Sequence, residues 1–395
     1  MSDLTDTDIV ISGGGPAGLS AAAILGAQGA RITLLDPAPP VTQMDAPGAD
    51  LRTTAILQPG RALFEEAGVW DHLAPHATPL DQMRIINAAE RHVSRDFNSS
   101  DLSEQAFGWN FPNTALRAAL MERLDSLPNV TFLAGTGYAG HIARSGEVRV
   151  RMTDGSQTRA KLLLACDGRE SPVRAAAGIK VTRLRYGQVA VTFAATHPQP
   201  HHNVSTEIHL RGGPFTLVPL PDYDGQPCSA VVWMTDGPEA AKLMALDDDA
   251  FAAAASERAT FLLGPLTLVQ RRQSWPIIAQ IADKFCGARV ALAAEAAHVV
   301  PPIGAQGLNM SLADLGCLKR LLDGAGDPGD ADLLTRYHRR RWPEAQLRVR
   351  GVDLLNRASQ TGIAPLQAAR GAGLALLHDV KPVRQALMRM GLGAR

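Results

Sequence analysis

Gly13-Gly14-Gly15-Pro16-Ala17-Gly18 lies directly after the apolar run Ile9-Val10-Ile11 and opens the alanine-rich stretch Ala17 to Gln28. No other feature restricts the fold as much. An apolar, β-branched run suits a buried parallel strand and alanines favour a helix, so the segment predicts strand, tight turn and helix. Gly13 permits the turn, Gly15 lets backbone amides approach a pyrophosphate, and Gly18 allows the helix to pack closely on the sheet. Pro16 and Ala17 open a helix whose N-terminus then faces the phosphates. A second strand, Arg31 to Leu35, ends at Asp36, 23 residues after Gly13. That is near the roughly 20-residue offset at which an acid takes up a ribose hydroxyl pair, so a dinucleotide without a 2′-phosphate, FAD or NAD, is expected.

Two later segments decide between these. Lys161 to Cys166 reads as another buried strand, followed by Asp167-Gly168-Arg169-Glu170-Ser171-Pro172-Val173-Arg174. From the residues alone, Asp-Gly here is equally an ordinary turn at a strand end. Arg289 to Ala293 is the next buried strand, and it delivers Ala294-Glu295-Ala296-Ala297-His298-Val299-Val300-Pro301-Pro302-Ile303-Gly304-Ala305-Gln306-Gly307-Leu308-Asn309. An acid, a His and Pro turn, and small or amide residues opening a helix over Leu308 to Leu322 make a second cofactor wall. The two walls together point to a flavin and not to a diffusing nicotinamide.

The DGxxSxxR arrangement and the 294–309 segment resemble the second and third fingerprints of the class A FAD-dependent aromatic monooxygenases. The third is usually Gly-Asp-Ala-Ala-His, a Pro and GxGxN. This chain departs from it at Ala294-Glu295 and by carrying the second glycine at Gly307. Asp50 to Ile56, Asn113 to Arg117 and a tail with Thr361, Pro365, Arg370 and Met390-Gly391 are similar to the ubiquinone-biosynthesis hydroxylases, which act on polyprenylated phenols. The likeness covers nearly the whole chain. It implies an α/β fold with a Rossmann-like FAD-binding domain of the p-hydroxybenzoate hydroxylase type, an inserted antiparallel-sheet substrate domain and C-terminal helices.

The same resemblance implies roles. Asp167 would touch flavin and incoming NAD(P)H, and Glu295 would hold the ribitol chain. Gly304, Gln306, Gly307, Leu308 and Asn309 would set backbone amides and the Asn309 side chain against the isoalloxazine ring. Arg52 and Arg117 would contact the FAD phosphates or the adenosine side, although spacing alone fits surface arginines equally. Pro302 and Gly304 would shape the pocket. His298 either delivers protons beside the ring or closes the turn structurally, the reading we favour. NAD(P)H would reduce FAD, and a flavin C4a-hydroperoxide formed with O2 would hydroxylate the aromatic ring of a polyprenyl phenol or quinol. A hydroxylase of small soluble aromatics and a flavin-binding assembly component of a quinone-synthesis complex remain as alternatives.

A division follows from these placements: 1–73, 106–180 and 276–325 for FAD, 74–105 and 181–275 for substrate, and 326–395 as a helical region. Between Val181 and Trp275, alternating stretches such as Val189 to Phe193 and Ser229 to Trp233 predict antiparallel strands. His197, His201, His202 and His209 lack an accompanying acid or cysteine pattern, so a solvated loop is expected and no metal. The 39 basic and 39 acidic residues balance, which leaves no overall field for nucleic acid. From Arg336 to Arg395, however, twelve basic residues face three acidic ones. This tract is either a set of solvated basic faces or a docking surface for an anionic membrane or a quinone-biosynthesis complex. Four separated cysteines and the absence of a signal-like or membrane-spanning run predict a cytoplasmic protein, peripheral to a membrane if it meets one.

Overall fold

The computed structural model describes residues 5–87, 93–101, 103–210 and 212–360. Its nucleotide half is a six-stranded sheet in the order Cys286–Gly287, Val290–Leu292, Leu162–Ala165, Ile9–Ser12, Ile32–Asp36, Val130–Ala134. The last five run parallel, with Ile11 opposite both Leu164 and Leu34. Such strands are covered on both faces, which is why they read as uninterrupted apolar runs and why Ile9 to Ile11 and Leu162 to Ala165 are buried. The chain leaves Ile9–Ser12 toward one side of the sheet and returns on the other side at Leu162–Ala165. The glycine-rich turn therefore sits at the switch in strand order, where α/β sheets open a crevice. Helix Pro16–Ala27 follows that turn, and helix Gln306–Leu322 starts two residues earlier than the sequence pattern suggests.

The second half is a nine-stranded sheet built on Val181–Thr196, Val204–Leu210, Gly213–Tyr223, Gln226–Asp236 and Gln273–Ala282. Val189 to Phe193 and Ser229 to Trp233 pair antiparallel as expected, with Val191 opposite Trp233. One junction differs: Val204–Leu210 runs parallel to Gln82–Asn87, because the latter arrives from a distant part of the chain. One face of this sheet carries its own core, with Phe193, Ile208, Phe215, Trp233 and Phe251. The other face roofs the crevice. A three-stranded sheet of Thr53–Leu57, Gly108–Pro112 and Thr78–Leu80 joins the halves.

Helix Ala331–Gln360 carries the described part of the basic tract. Not all of that tract is solvated: Arg341 is buried. Thr361, Pro365, Arg370, Met390 and Gly391 lie outside the described residues. No described helix is long and apolar enough to cross a membrane.

Candidate active site

Helix Pro16–Ala27 starts at Gly15 without a side-chain cap, so its first amides are available to an anion. Gly13 holds φ +105°, and a Cβ there would stand 2.4 Å from the Cys166 carbonyl oxygen; one on Gly18 would lie 1.7 Å from the Gly13 oxygen. A Cβ on Gly15 would meet nothing within 4 Å. The outer glycines are thus required by the protein's own packing, and the middle one borders open space. Asp36 accepts the Gly14 amide at 2.6 Å and the Ala38 amide at 2.9 Å, one on each oxygen. It braces the turn and retains lone pairs for a ribose.

Beside this turn a buried cluster forms around Asp50. Arg52 donates to both Asp50 oxygens at 2.8 Å, Asn113 donates to one at 2.9 Å, and an Arg117 nitrogen lies 3.7 Å away. Burial disfavours the Asp50 charge, but the Arg52 hydrogen bonds and charge, with Asn113, outweigh it and hold the carboxyl below its ordinary range. The Arg52 guanidinium in turn stacks 4.2 Å from the ring centre of Trp275, on the roof sheet. A charged fork locked in this way can hold phosphate or hydroxyl oxygens with little further loss of freedom.

After strand Leu162–Ala165, Asp167 receives the Val173 amide at 3.2 Å on one oxygen, while the other is buried without a partner. Burial raises its pKa against these hydrogen bonds. Ser171 caps the short helix Pro172–Ala176, and Arg174 reaches the carbonyls of Ala296 and Arg169, both at 2.9 Å. The second and third segments are thereby tied together.

Ala294 takes a left-handed conformation, φ +58°, which turns Glu295 into the crevice, where Arg169 donates to it at 3.2 Å. His298 is buried, with Nε2 2.7 Å from Asp314 Oδ2; Arg341 donates to the other Asp314 oxygen at 2.8 Å. The Ala294 amide also reaches Asp314, at 3.2 Å. Burial opposes the Asp314 charge, yet the His298 and Arg341 charges and hydrogen bonds hold its pKa low. Asp314 and Arg341 escaped the sequence reading. The usable signal was an acid at the centre of the otherwise apolar stretch Met310 to Leu318.

Gly304 and Ala305 are both left-handed, φ +63° and +55°, and start helix Gln306–Leu322 without a side-chain cap. Gln306 is pinned by Gly304 O and Arg348. Asn309 bridges the turn to the neighbouring strand. Its side-chain amide donates to Ala55 O at 2.8 Å and Ala305 O at 2.7 Å and accepts from the Leu57 amide at 2.9 Å. Those three backbone groups need partners, and Asn309 is placed to supply them.

One cavity of about 530 Å³ joins these parts. Its floor includes Gly15, Pro16, Ala17, Arg52, Glu295, His298, Pro302, Gly304, Gln306, Gly307 and Leu308. Gly13, Gly18, Asp36, Arg117, Asp167 and Asn309 stand behind it. The roof supplies mainly apolar and hydroxyl side chains, among them Thr192, Val218, Ala230, Val232 and Ile277. The four histidines of the middle segment do not gather as ligands. His197 bonds Gln199 O and Ser229, His201 bonds Leu220 O, and His209 pairs with Glu207. Among the described residues no metal-type cluster occurs. The open Gly15 and two uncapped helix N-termini on one cavity fit FAD.

A switch-point glycine turn joined by one cavity to an apolar roof is the arrangement of a flavoprotein that seats an apolar substrate beside its cofactor. The comparisons agree. The FAD binding domain family matches residues 6–352. Ubiquinone hydroxylase UbiL of Rhodospirillum rubrum is 30% identical over 390 residues, 98% of this chain and 89% of that protein. The 3-demethoxyubiquinol 3-hydroxylase of Escherichia coli is 26% identical, covering 98% of both chains. In fold, p-nitrophenol 4-monooxygenase PnpA from Pseudomonas putida superposes with a TM-score of 0.80 at 20% identity, over 100% of both chains. The chain belongs to the FAD-dependent aromatic monooxygenases, in the subgroup of the ubiquinone-biosynthesis hydroxylases.

Proposed function

We propose that the protein hydroxylates the ring of a polyprenyl phenol or quinol on the route to ubiquinone, with NAD(P)H as reductant and O2 as oxidant. The observation that carries this reading is the single cavity that runs from the uncapped Pro16–Ala27 helix to an apolar roof. Its roof side, with Val218, Ala230, Val232 and Ile277, suits an apolar ring. Bound FAD supplies the redox chemistry, accepting reducing equivalents from NAD(P)H and activating O2.

The chain's own residues bind, orient and exclude water. The first amides of the Pro16–Ala27 helix receive the pyrophosphate, Asp36 the ribose, and Arg52, backed by Asp50, the adjoining oxygens, with Arg117 behind it. Glu295 holds the ribitol, and Asp167 steadies the turn that borders flavin and nicotinamide. The amides from Gly304 to Leu308 face the negative charge that develops on the reduced ring, helped by the helix N-terminus. The roof keeps water from the reacting atoms. His298, with Nε2 held by buried Asp314, serves as a structural post for the turn. The basic helix Ala331–Gln360, which exposes Leu347, Leu354 and Leu355 among its arginines, supports docking at an anionic membrane surface where a polyprenyl tail resides.

Quinone extraction and mass spectrometry from a strain lacking this protein test the substrate. Accumulation of a prenylated phenol one hydroxyl short of the next intermediate is expected. Normal quinone in that strain, with efficient turnover of a small phenolic acid by the purified protein, would replace this substrate by a soluble aromatic.

A further inference from the structure

The carboxylates that line the cavity are Asp50, Glu207 and Glu295, and their partners separate them. Asp50 is held by Arg52 and Glu295 by Arg169. A guanidinium keeps its charge at every ordinary pH and disfavours protonation of the acid beside it. Glu207 is held instead by an imidazole: His209 Nε2 lies 2.6 Å from Glu207 Oε1. Among the described residues Glu207 is thus the one cavity carboxylate of the three with no guanidinium bound to it.

Its position is equally specific. Glu207 stands on the Val204–Leu210 strand of the roof, opposite Thr216, and lines the cavity with Ser205, Thr216 and Val218. The alternate residues Ile208, Phe215 and Leu217 point into the separate core of that sheet. The pleat thus delivers a carboxylate to a wall that is otherwise apolar or hydroxyl-bearing. His209, two residues on, shares the face; its Nδ1 is buried without a hydrogen-bond partner. Other charged groups flank the pair. Arg84 on the adjoining strand is held by Asp96, and Arg95 lies on the same face two strands away, across Ile85. Arg52, Arg169 and His298 are bound to their own acids.

We propose that Glu207 accepts the proton of the substrate's ring hydroxyl, with His209 orienting its carboxylate. This rests on the phenolic substrate proposed above. The phenol O–H bond breaks, its proton moves to Glu207 Oε2, and the electron pair left on oxygen enriches the ring that is to be hydroxylated. No electron is exchanged in this step. A positioned base of this kind contributes on the order of 100-fold or more.

The test uses the FAD-loaded enzyme and a phenol bearing one short isoprenoid chain, following flavin content, reductant oxidation and hydroxylated product across pH. Glu207→Gln should keep its flavin, oxidise reductant with little coupling to product, and lose about 100-fold in product rate at pH 7. Its rate should climb about tenfold per pH unit toward the phenol's own pKa near 10. Glu207→Asp should recover part of the rate, and His209→Gln should lose about tenfold, less than Glu207→Gln. A wild-type rate and pH profile in Glu207→Gln would overturn the proposal, as would loss of flavin with no recovery in Glu207→Asp. An inactive wild type on every phenol, with normal quinone in the deletion strain, would remove the phenol itself and is recognisable because no variant is then needed to see it.

Discussion

The floor and the roof of the cavity recognise by different means. The floor works through backbone: uncapped helix ends, left-handed turns and a glycine that borders open space, with its side-chain charges bound to one another. The roof works through side chains that a pleated sheet offers at every second position. A backbone site demands particular residues at fixed spacing, because only glycine tolerates a φ of +105° or a contact under 3 Å. A pleated roof demands only that alternate residues be of the right kind, so many sequences satisfy it.

Six substitutions press on this contrast. The largest effect is expected from Asp314→Ala, which would strand Arg341 and His298 in the interior and cost about 3–5 kcal/mol, read by urea unfolding. The same group sets an acid limit. Because Asp314 titrates below its ordinary range in the fold, its contribution is present above the unfolded value of about 4 and disappears as pH falls through its own lower pKa. Asp314→Asn should therefore flatten the pH dependence of the unfolding midpoint below about pH 4. Gly18→Ala should follow, losing about 3 kcal/mol because its methyl meets the Gly13 carbonyl. Its neighbour Gly15→Ala should keep the urea midpoint within about 0.5 kcal/mol and yet retain less flavin on gel filtration. If both variants behaved alike, the division between packing glycines and ligand glycine would fail.

Glu295→Ala should weaken FAD about tenfold, roughly 1.4 kcal/mol, by fluorescence titration. Ala230→Phe on the roof should leave FAD affinity unchanged and raise KM for the aromatic substrate about fivefold, roughly 1 kcal/mol. Loss of flavin in that variant would show that the roof serves the cofactor as well.

Legibility in the sequence followed the same line. The strand, turn and helix at Ile9 to Ala27, the acid at Asp36 and the turn at Gly304 were readable because each is a local run with its own stereochemistry. Asp314 and Arg341 were not, since their meaning lies in one buried contact between residues that sit on separate helices. Arg341 was also concealed by its basic neighbours, which made it look like part of a solvated face. Asn309 was recognised as part of the turn, but its bonds to Ala55 O, Ala305 O and the Leu57 amide were not legible: sequence marks the position of an amide, and the fold decides which backbone groups it meets. Glu207 and His209 passed unnoticed as a pair because the middle segment offered four histidines without a pattern to distinguish them.

Trp275 lies on the far side of the cavity from the glycine turn, with the Arg52 cation over its ring and its indole N–H buried without an acceptor. An indole so placed is an optical gauge already installed. Ligand oxygens that engage Arg52 would change the field across the ring and shift its emission, so the filling of the phosphate end could be followed by light from the roof.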